Sequence, residues 1–444
     1  MIKLSAPKSA RSVALSTLIR VLCSGSYSNI SFNNSLREAK LTQADQNLAT
    51  RIVYGTIQEK IYLEYQLHDL LKTELKEDYL WPLLLMSSYQ ILFMNSIPNR
   101  AVLNEANKLA KEYGKRHSAG FKIVNGILRS LLRRGSILPN EKDKTLYLSV
   151  KESTPKWLVQ YLISHWGEDR TAAILASINK PSKNTVRVSG LADYNSVKKE
   201  LSNLGFLPAD SQIASDELVL AHGGIFKTAL FKQGRLTIQD EAASLAVSAF
   251  SFNGNEEVLD ACSAPGGKTV QIAEKLKRGH VTALDIHENK LRLVKENASR
   301  MHVESKIIVK PLDARKADQE FKKEQFNKIL VDAPCSGLGL IRRKPEIRYT
   351  KTLNDLTKLQ QIQLNILNHV SSLISQGGEL VYSTCTISQE EDEDVVKAFL
   401  KRHDEYELQP FTAGKLKAPK GILKILPDSY GSDGFFIAKF KLRG

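Results

Sequence analysis

Two of the four cysteines sit in short motifs that could carry covalent chemistry. Cys335 lies in Asp332-Ala-Pro-Cys-Ser-Gly337 and Cys385 in Ser383-Thr-Cys-Thr386. Each motif follows a brief apolar run, Ile329–Asp332 and Leu380–Ser383, of the kind that forms a buried strand. Both sulfurs therefore fall just past a strand's carboxyl end, on the rim where open α/β sheets hold ligands. A thiolate placed there is a nucleophile. Most buried cysteines are inert packing instead. That reading suits Cys23, and it makes Cys262 structural or backbone-contacting. Metal ligation is not expected: there is no CxxC pair, and the nine histidines show no paired spacing.

The run Val258-Leu-Asp-Ala-Cys-Ser-Ala-Pro-Gly-Gly-Lys-Thr269 reads as a strand, a tight turn and the start of a helix. Gly266 and Gly267 let a ligand approach the backbone closely. A Walker A loop would need Gly where Cys262 stands, and the GxGxxG spacing of a dinucleotide loop is absent. The loop is neither standard phosphate motif, which leaves a nucleoside ligand. Asp285 ends the next strand, where a carboxylate can accept both ribose hydroxyls. Asp313 follows the third strand, placed to accept an adenine amino group, and Asp332 ends the fourth. One such Asp is often only a helix cap. Three of them behind a Gly-rich first loop suit an adenosine ligand such as S-adenosylmethionine. Its contacts would come from Cys262, Ser263, Ala264, Pro265, Gly266, Gly267 and Lys268 of the loop, with Asp285, Asp313 and Asp332.

These residues need a scaffold that brings strand ends together. From about residue 236, strands at Val258–Asp260, Val281–Asp285, Ile307–Val309, Ile329–Asp332 and Leu380–Ser383 alternate with helical stretches. The helices fall at Thr269–Leu276, Glu288–Met301, Asn354–Ile374 and Glu391–Lys401. Such alternation predicts a doubly wound, Rossmann-like parallel sheet over 236–444. The run from Gly434 to Leu442 is a late strand, expected as an antiparallel edge. Residues 1–145 read as all-helical, with Asp45 capping a helix that carries Leu48, Ile52 and Val53. Residues 138–145 look like a linker, and 146–235 read as a small α/β module.

The chain has 444 residues with 63 basic and 48 acidic side chains, a net charge of +15. That balance predicts a polyanionic partner, with nucleic acid favoured. Residues 1–145 hold 21 basic and 12 acidic side chains. Within them Lys108, Lys111, Lys115, Arg116, Lys122, Arg129, Arg133 and Arg134 face only Glu112, so they are either a solvated face or a phosphate-facing patch. A second basic stretch, Arg342, Arg343, Lys344, Arg348 and Lys351, follows Cys335 and could engage phosphates beside a reacting base. Apolar residues make up 42%, which excludes a mostly disordered chain. No run approaches the ~18 apolar residues of a membrane span. Four cysteines in this length are no disulfide framework, so a reducing, cytoplasmic setting is expected. The acid-free stretch before Glu38 has a transit-like composition. Ala14, Leu18, Val21 and Leu22 nevertheless fall at the spacing of a first helix.

The segments from Asp260 to Thr269, from Asp332 to Gly337 and from Ser383 to Thr386 resemble the RNA cytosine-5 methyltransferases. Gln239-Asp-Glu-Ala-Ala-Ser244 and Gly434-Phe-Phe436 are also similar to that family, which usually has Ala where Ser263 stands. Tyr27-Ser-Asn29, Ile52-Val-Tyr-Gly55 and Pro98-Asn-Arg-Ala-Val-Leu-Asn104 resemble the antitermination factor NusB. The pairing of the two implies an enzyme that methylates C5 of a cytosine in 16S ribosomal RNA before the small subunit is complete. It makes S-adenosylmethionine the cofactor and Cys385 the nucleophile that adds to C6. It assigns Cys335 to product release and lets Asp332 hold the N3 edge of the base. It predicts no metal and no membrane, and it expects the site to lower a cysteine pKa, with Lys268 as one cause. Three other readings stay open: tRNA as substrate, a non-catalytic RNA-binding factor on the same scaffold, and, last, an NAD-dependent oxidoreductase. Both cysteines being intact argues against the second, and the failed GxGxxG spacing against the third.

Overall fold

The computed structural model describes residues 9–24, 28–72, 74–115 and 117–443. Residues 1–8 of the transit-like stretch, Tyr27 of the NusB-like motif and Arg116 of the basic run lie outside the described residues. The chain forms two compact units. One comprises 1–179 together with Lys344–Thr350, and the other comprises 180–343 and 351–444. The division departs from the three-part expectation. Helices Lys144–Lys151 and Lys156–Ile178 join the first unit, and the rest of the middle module joins the second.

The first unit is helical, with helices at Ala10–Ser24, Ser28–Glu38, Gln43–Gln58, Lys60–His68, Leu80–Phe93, Asn99–Tyr113 and Gly120–Arg134. Helix Leu80–Phe93 is apolar on nearly every face and buries Leu83, Leu84, Leu85 and Met86, as a central helix must. The helix carrying Ile52 and Val53 is capped by Thr42 rather than Asp45. The Thr42 hydroxyl accepts from the Asp45 amide at 3.2 Å, so Asp45 lies in the first turn. Residues 344–350 are part of this unit although they lie far along the sequence. Ser28 Oγ donates to Glu346 at 2.6 Å. Arg348 is fully buried and donates to the carbonyls of Glu152 and Ser153, both at 3.1 Å, and to Asn179 Oδ1 at 2.9 Å. Tyr349 donates to the Gln58 carbonyl at 3.0 Å.

The second unit begins with a small antiparallel sheet of β1 (Asn184–Val188), β2 (Ala209–Asp210), β3 (Glu217–Leu220) and β4 (Leu236–Ile238), in the order β2-β3-β1-β4. A large sheet follows, built from β5 (Val258–Asp260), β6 (Val281–Asp285), β7 (Ile307–Pro311), β8 (Phe326–Asp332) and β9 (Ile374–Thr384). These five strands run parallel in the order β9-β8-β5-β6-β7. Their near-continuous apolar character matches a sheet covered on both faces. Next come β10 (Tyr406–Leu408), the hairpin β11 (Phe411–Ala413) and β12 (Leu416–Ala418), then β13 (Ile422–Ile425) and β14 (Phe435–Leu442). Strand β14 pairs antiparallel with β9, as expected, but it is not the edge: β10 and β13 both pair with it.

A buried network joins the two sheets. Arg187 of β1 pairs with Glu274 on helix Gly267–Lys275, both with side chains no more than 1% exposed. Arg187 Nε donates to Gln239 Oε1 at 2.9 Å, and Gln239 donates to Gln271 of the same helix at 2.8 Å. The strand order reverses on either side of β5, which opens the crevice where such sheets bind ligands.

Candidate active site

The crevice is built from the loops that leave β5, β6, β8 and β9. The first is anchored by Ser263, whose amide and hydroxyl donate to the Leu284 carbonyl at 2.7 and 2.8 Å. Gly266 then turns the chain at φ 103°, the left-handed region, and caps helix Gly267–Lys275. A side chain at Gly266 would also strike Val294, 2.9 Å from its Cα. At Gly267 a Cβ would meet nothing within 4 Å, so this backbone faces open space that a ligand can fill. Burial pushes the Cys262 thiol well up, with Asp260 adding to the effect, so Cys262 is held as a neutral thiol. Burial likewise raises the Asp260 carboxyl to about 7.

The three rim aspartates are not equivalent. Asp285 ends β6 and accepts from the His287 amide at 2.8 Å through Oδ1, and its Oδ2 has no partner among the described residues. Asp313 stands past β7, but Arg315 takes both of its oxygens, with Nη2 at 2.6 Å from Oδ2. That hydrogen bonding holds the Asp313 carboxyl below its usual range. Asp332, at the end of β8, accepts from Ser383 Oγ at 2.9 Å and from Lys268 Nζ at 2.7 Å. Burial opposes the charge on Lys268, but Asp332 and the Cys385 sulfur outweigh it and hold its pKa above the ordinary value. The Lys268 ammonium also lies 5.2 Å over the Phe435 ring, a cation–π contact.

Strands β8 and β9 are in register, with Asp332 beside Ser383. The two cysteine loops therefore leave the sheet at one level, and the Cys335 and Cys385 sulfurs lie 3.2 Å apart. Hydrogen bonding to Cys385 and burial raise the Cys335 thiol well above its usual pKa. At this separation either sulfur can donate to the other. The Cys385 carbonyl accepts from the Gly339 amide at 3.1 Å, and the Gly434 amide donates to the Gly339 carbonyl at 3.0 Å. A Cβ on Gly339 would lie 2.1 Å from the Gly434 oxygen, so only glycine permits this three-way approach.

The three arginines of the basic stretch after Cys335 are engaged within the protein. Arg343 bridges Asp240 and Asp433, each at 2.7 Å. Arg342 donates to the carbonyls of Gly431, Ser432 and Pro427. Arg348 is the buried group already described, Lys351 is half-buried, and Lys344 alone of the five is exposed. Sequence reading also missed the acid at the centre of the cysteine loops, Glu391, which is fully buried and touches Ser336, Ser388 and Gln363. A hydroxyl or amide residue within a few positions of each cysteine was its only trace in the sequence. Among the described residues no group of His, Cys, Asp and Glu is placed to hold a metal, and no helix is long and apolar enough to cross a membrane.

Residues 247–441 match the family model described as 16S rRNA methyltransferase RsmB/F, and residues 8–133 match the NusB family. A curated relative from Bacillus subtilis (strain 168), "Probable ribosomal RNA small subunit methyltransferase B", is 38% identical and covers 98% of this chain and 99% of its own length. The chain belongs to the 16S rRNA methyltransferase RsmB/F family. "Ribosomal RNA small subunit methyltransferase B" of Vibrio cholerae serotype O1 is 31% identical, covering 96% of each chain. The crystal structure of PH0851 shares the fold, with a TM-score of 0.81 at 24% identity over 96% of this chain and 98% of that one. The family's fold is thus the one described: a NusB-like helical region and a Rossmann-like methyltransferase sheet.

Proposed function

We propose that this member of the family methylates C5 of a cytosine in 16S ribosomal RNA, with S-adenosylmethionine as methyl donor and a covalent adduct between Cys385 and C6. The observation that carries the proposal is the sulfur pair, 3.2 Å apart, on the same rim as Asp332. The cofactor's place fits the residues present: the open backbone at Gly267, the Cys262–Lys268 loop, and Asp285 with one free oxygen for a ribose hydroxyl. Asp313 would serve the adenine edge only by giving up Arg315. S-adenosylmethionine supplies an electrophilic methyl group when bound.

Cytosine C5 is a weak nucleophile until a thiolate adds at C6 and makes the ring an enamine. Cys385 is the sulfur for that addition. Lys268, held cationic by Asp332, stabilises its negative charge. Asp332 takes the N3 edge of the base in this reading, and Ser383 and Lys268, which donate to its two oxygens, hold it in place. Once C5 carries the methyl group, its proton must leave so that the C6–sulfur bond can break. Cys335, whose sulfur lies 3.2 Å from that of Cys385, attends this release: it gives its proton to the departing Cys385 sulfur, and the Cys335 thiolate so formed takes the C5 proton. The base must leave its stack to reach these groups, which favours RNA not yet locked into a finished subunit.

Bisulfite sequencing tests the reading, because a 5-methylcytosine resists conversion. RNA from cells lacking this chain should lose protection at one 16S cytosine and regain it on complementation. Protection lost in tRNA alone would replace the substrate and keep the chemistry. No lost protection anywhere would overturn the reaction.

A further inference from the structure

The run from Gln389 to Glu393 is wholly polar and leads into the helix expected at Glu391–Lys401, yet Glu391 within it is fully buried. Its Oε1 accepts from the Ser336 amide at 2.7 Å and from Gln363 Nε2 at 3.1 Å. Its Oε2 accepts from the hydroxyls of Ser336 at 2.5 Å and Ser388 at 2.7 Å. The Thr386 hydroxyl lies 2.8 Å from that of Ser336 and 3.4 Å from the same carboxylate oxygen. Ser336 is the residue after Cys335, and Thr386 is the residue after Cys385. Gln363 also donates to the Pro334 carbonyl at 3.0 Å, so Cys335 is gripped from both sides. The Glu391 carbonyl in turn accepts from the Tyr382 hydroxyl at 2.6 Å, which fixes the acid to strand β9.

We propose that Glu391 is a positioning residue: its carboxylate ties together the loops after Cys335 and Cys385 and thereby sets the distance between the two sulfurs. It touches neither reacting base nor cofactor, and the inference rests on the two-thiol reading above. The physical case is one of satisfaction and rigidity. Burying an acid is costly, and well-packed apolar residues often serve stability as well or better. Here every donor faces an acceptor-only group, and bonds to a carboxylate are shorter and stronger than neutral ones. The carboxylate is the one small side chain that accepts from four donors without offering any. Glutamine at 391 keeps the size but places an NH2 against donors on one side. The core stays filled while one cysteine loop loses its hold.

The test uses the full chain and the variant Glu391→Gln. Dibromobimane, which becomes fluorescent only when both arms take a thiol, reports the sulfur separation without any methyl transfer; peptide mapping confirms that the bridge joins Cys335 to Cys385. The expected result is slower bridging and a kcat lower by about 10²-fold, the cost of roughly 1 Å of misplacement. KM for a 16S RNA fragment and affinity for S-adenosylmethionine should stay near wild type, while the melting midpoint falls because buried donors lose an acceptor. Wild-type bridging and kcat in the variant would overturn the assignment. So would a loss confined to melting temperature, which is all that a structural role would move. If Glu391→Gln does not fold, Ser336→Ala removes the Ser336 hydroxyl's bond to the carboxylate and should slow bridging in the same direction; unchanged bridging there overturns the proposal equally. If bridging depends on Glu391 but wild-type protein forms no 5-methylcytosine, the positioning stands and the reaction falls.

Discussion

The two basic stretches of this chain look alike in sequence and behave oppositely in the fold. Lys108, Lys111, Lys115, Lys122, Arg129 and Arg133 are exposed on the helical unit. None of them pairs with a carboxylate side chain among the described residues, while Arg134 turns inward to the Gln66 carbonyl. In the stretch after Cys335, Arg342 and Arg343 are spent on carbonyls and on Asp240 and Asp433, and Arg348 is buried. The lesson is that a run of positive charge says nothing of its partners. In the first stretch no acidic partner stands among the described residues, which leaves the charge for a polyanion. In the second the partners arrive from 85 to 196 residues away in sequence, so the charge holds the fold.

That contrast can be broken by substitution, and the largest effect should come from Arg348→Ala. It leaves two carbonyls and Asn179 Oδ1 without their donor, and each buried group left unpaired costs about 1–3 kcal/mol. Urea unfolding followed in the helical unit should show a loss of at least ~3 kcal/mol. A loss under ~0.5 kcal/mol, the size of an ordinary surface change, would place Arg348 with the solvated stretch.

The acids divide in the same way, and Asp285→Ala should come next in size. Its free oxygen can meet a ribose hydroxyl, and a hydrogen bond to a charged group contributes about 1.5–3 kcal/mol. Calorimetry with S-adenosylmethionine should show affinity falling at least about 10-fold, with Asp313→Ala costing less because Arg315 already occupies that carboxylate. A larger loss at Asp313 would reverse the ranking.

The smallest effect should be at the open stretch. Lys122→Gln, Arg129→Gln and Arg133→Gln together should leave stability unchanged and weaken RNA binding. They should also flatten its salt dependence by roughly 0.7–0.9 log units per decade for each phosphate that is no longer engaged. An unchanged slope with RNA still bound would make this face merely solvated.

What sequence could show, and what it could not, follows the same division. Strand ends were legible because β5, β6 and β8 carry apolar runs that stop at Asp260, Asp285 and Asp332, and a parallel sheet puts such ends on one rim. The cysteine motifs inherited their place from β8 and β9. Glu391 was illegible because two of its donors, Ser336 and Gln363, lie 55 and 28 residues away, and its neighbours in sequence are acidic. Strand β14 was legible as antiparallel but not as interior, since the covering strands β10 and β13 are only three and four residues long. The membership of 344–350 in the helical unit follows from burial of Arg348 and Glu346, which no local pattern announces.

The most direct measurement separates the two sulfurs. Labelled 16S RNA fragment is incubated with each cysteine variant, with and without S-adenosylmethionine, and run on a denaturing gel. Cys335→Ser should add to C6, transfer the methyl group and then stall, giving a slow-migrating protein–RNA band that needs the methyl donor. Cys385→Ser should give neither band nor product, because a hydroxyl is too weak an acid to supply the attacking anion. The band appearing in Cys385→Ser instead, or full activity in both variants, would contradict the account.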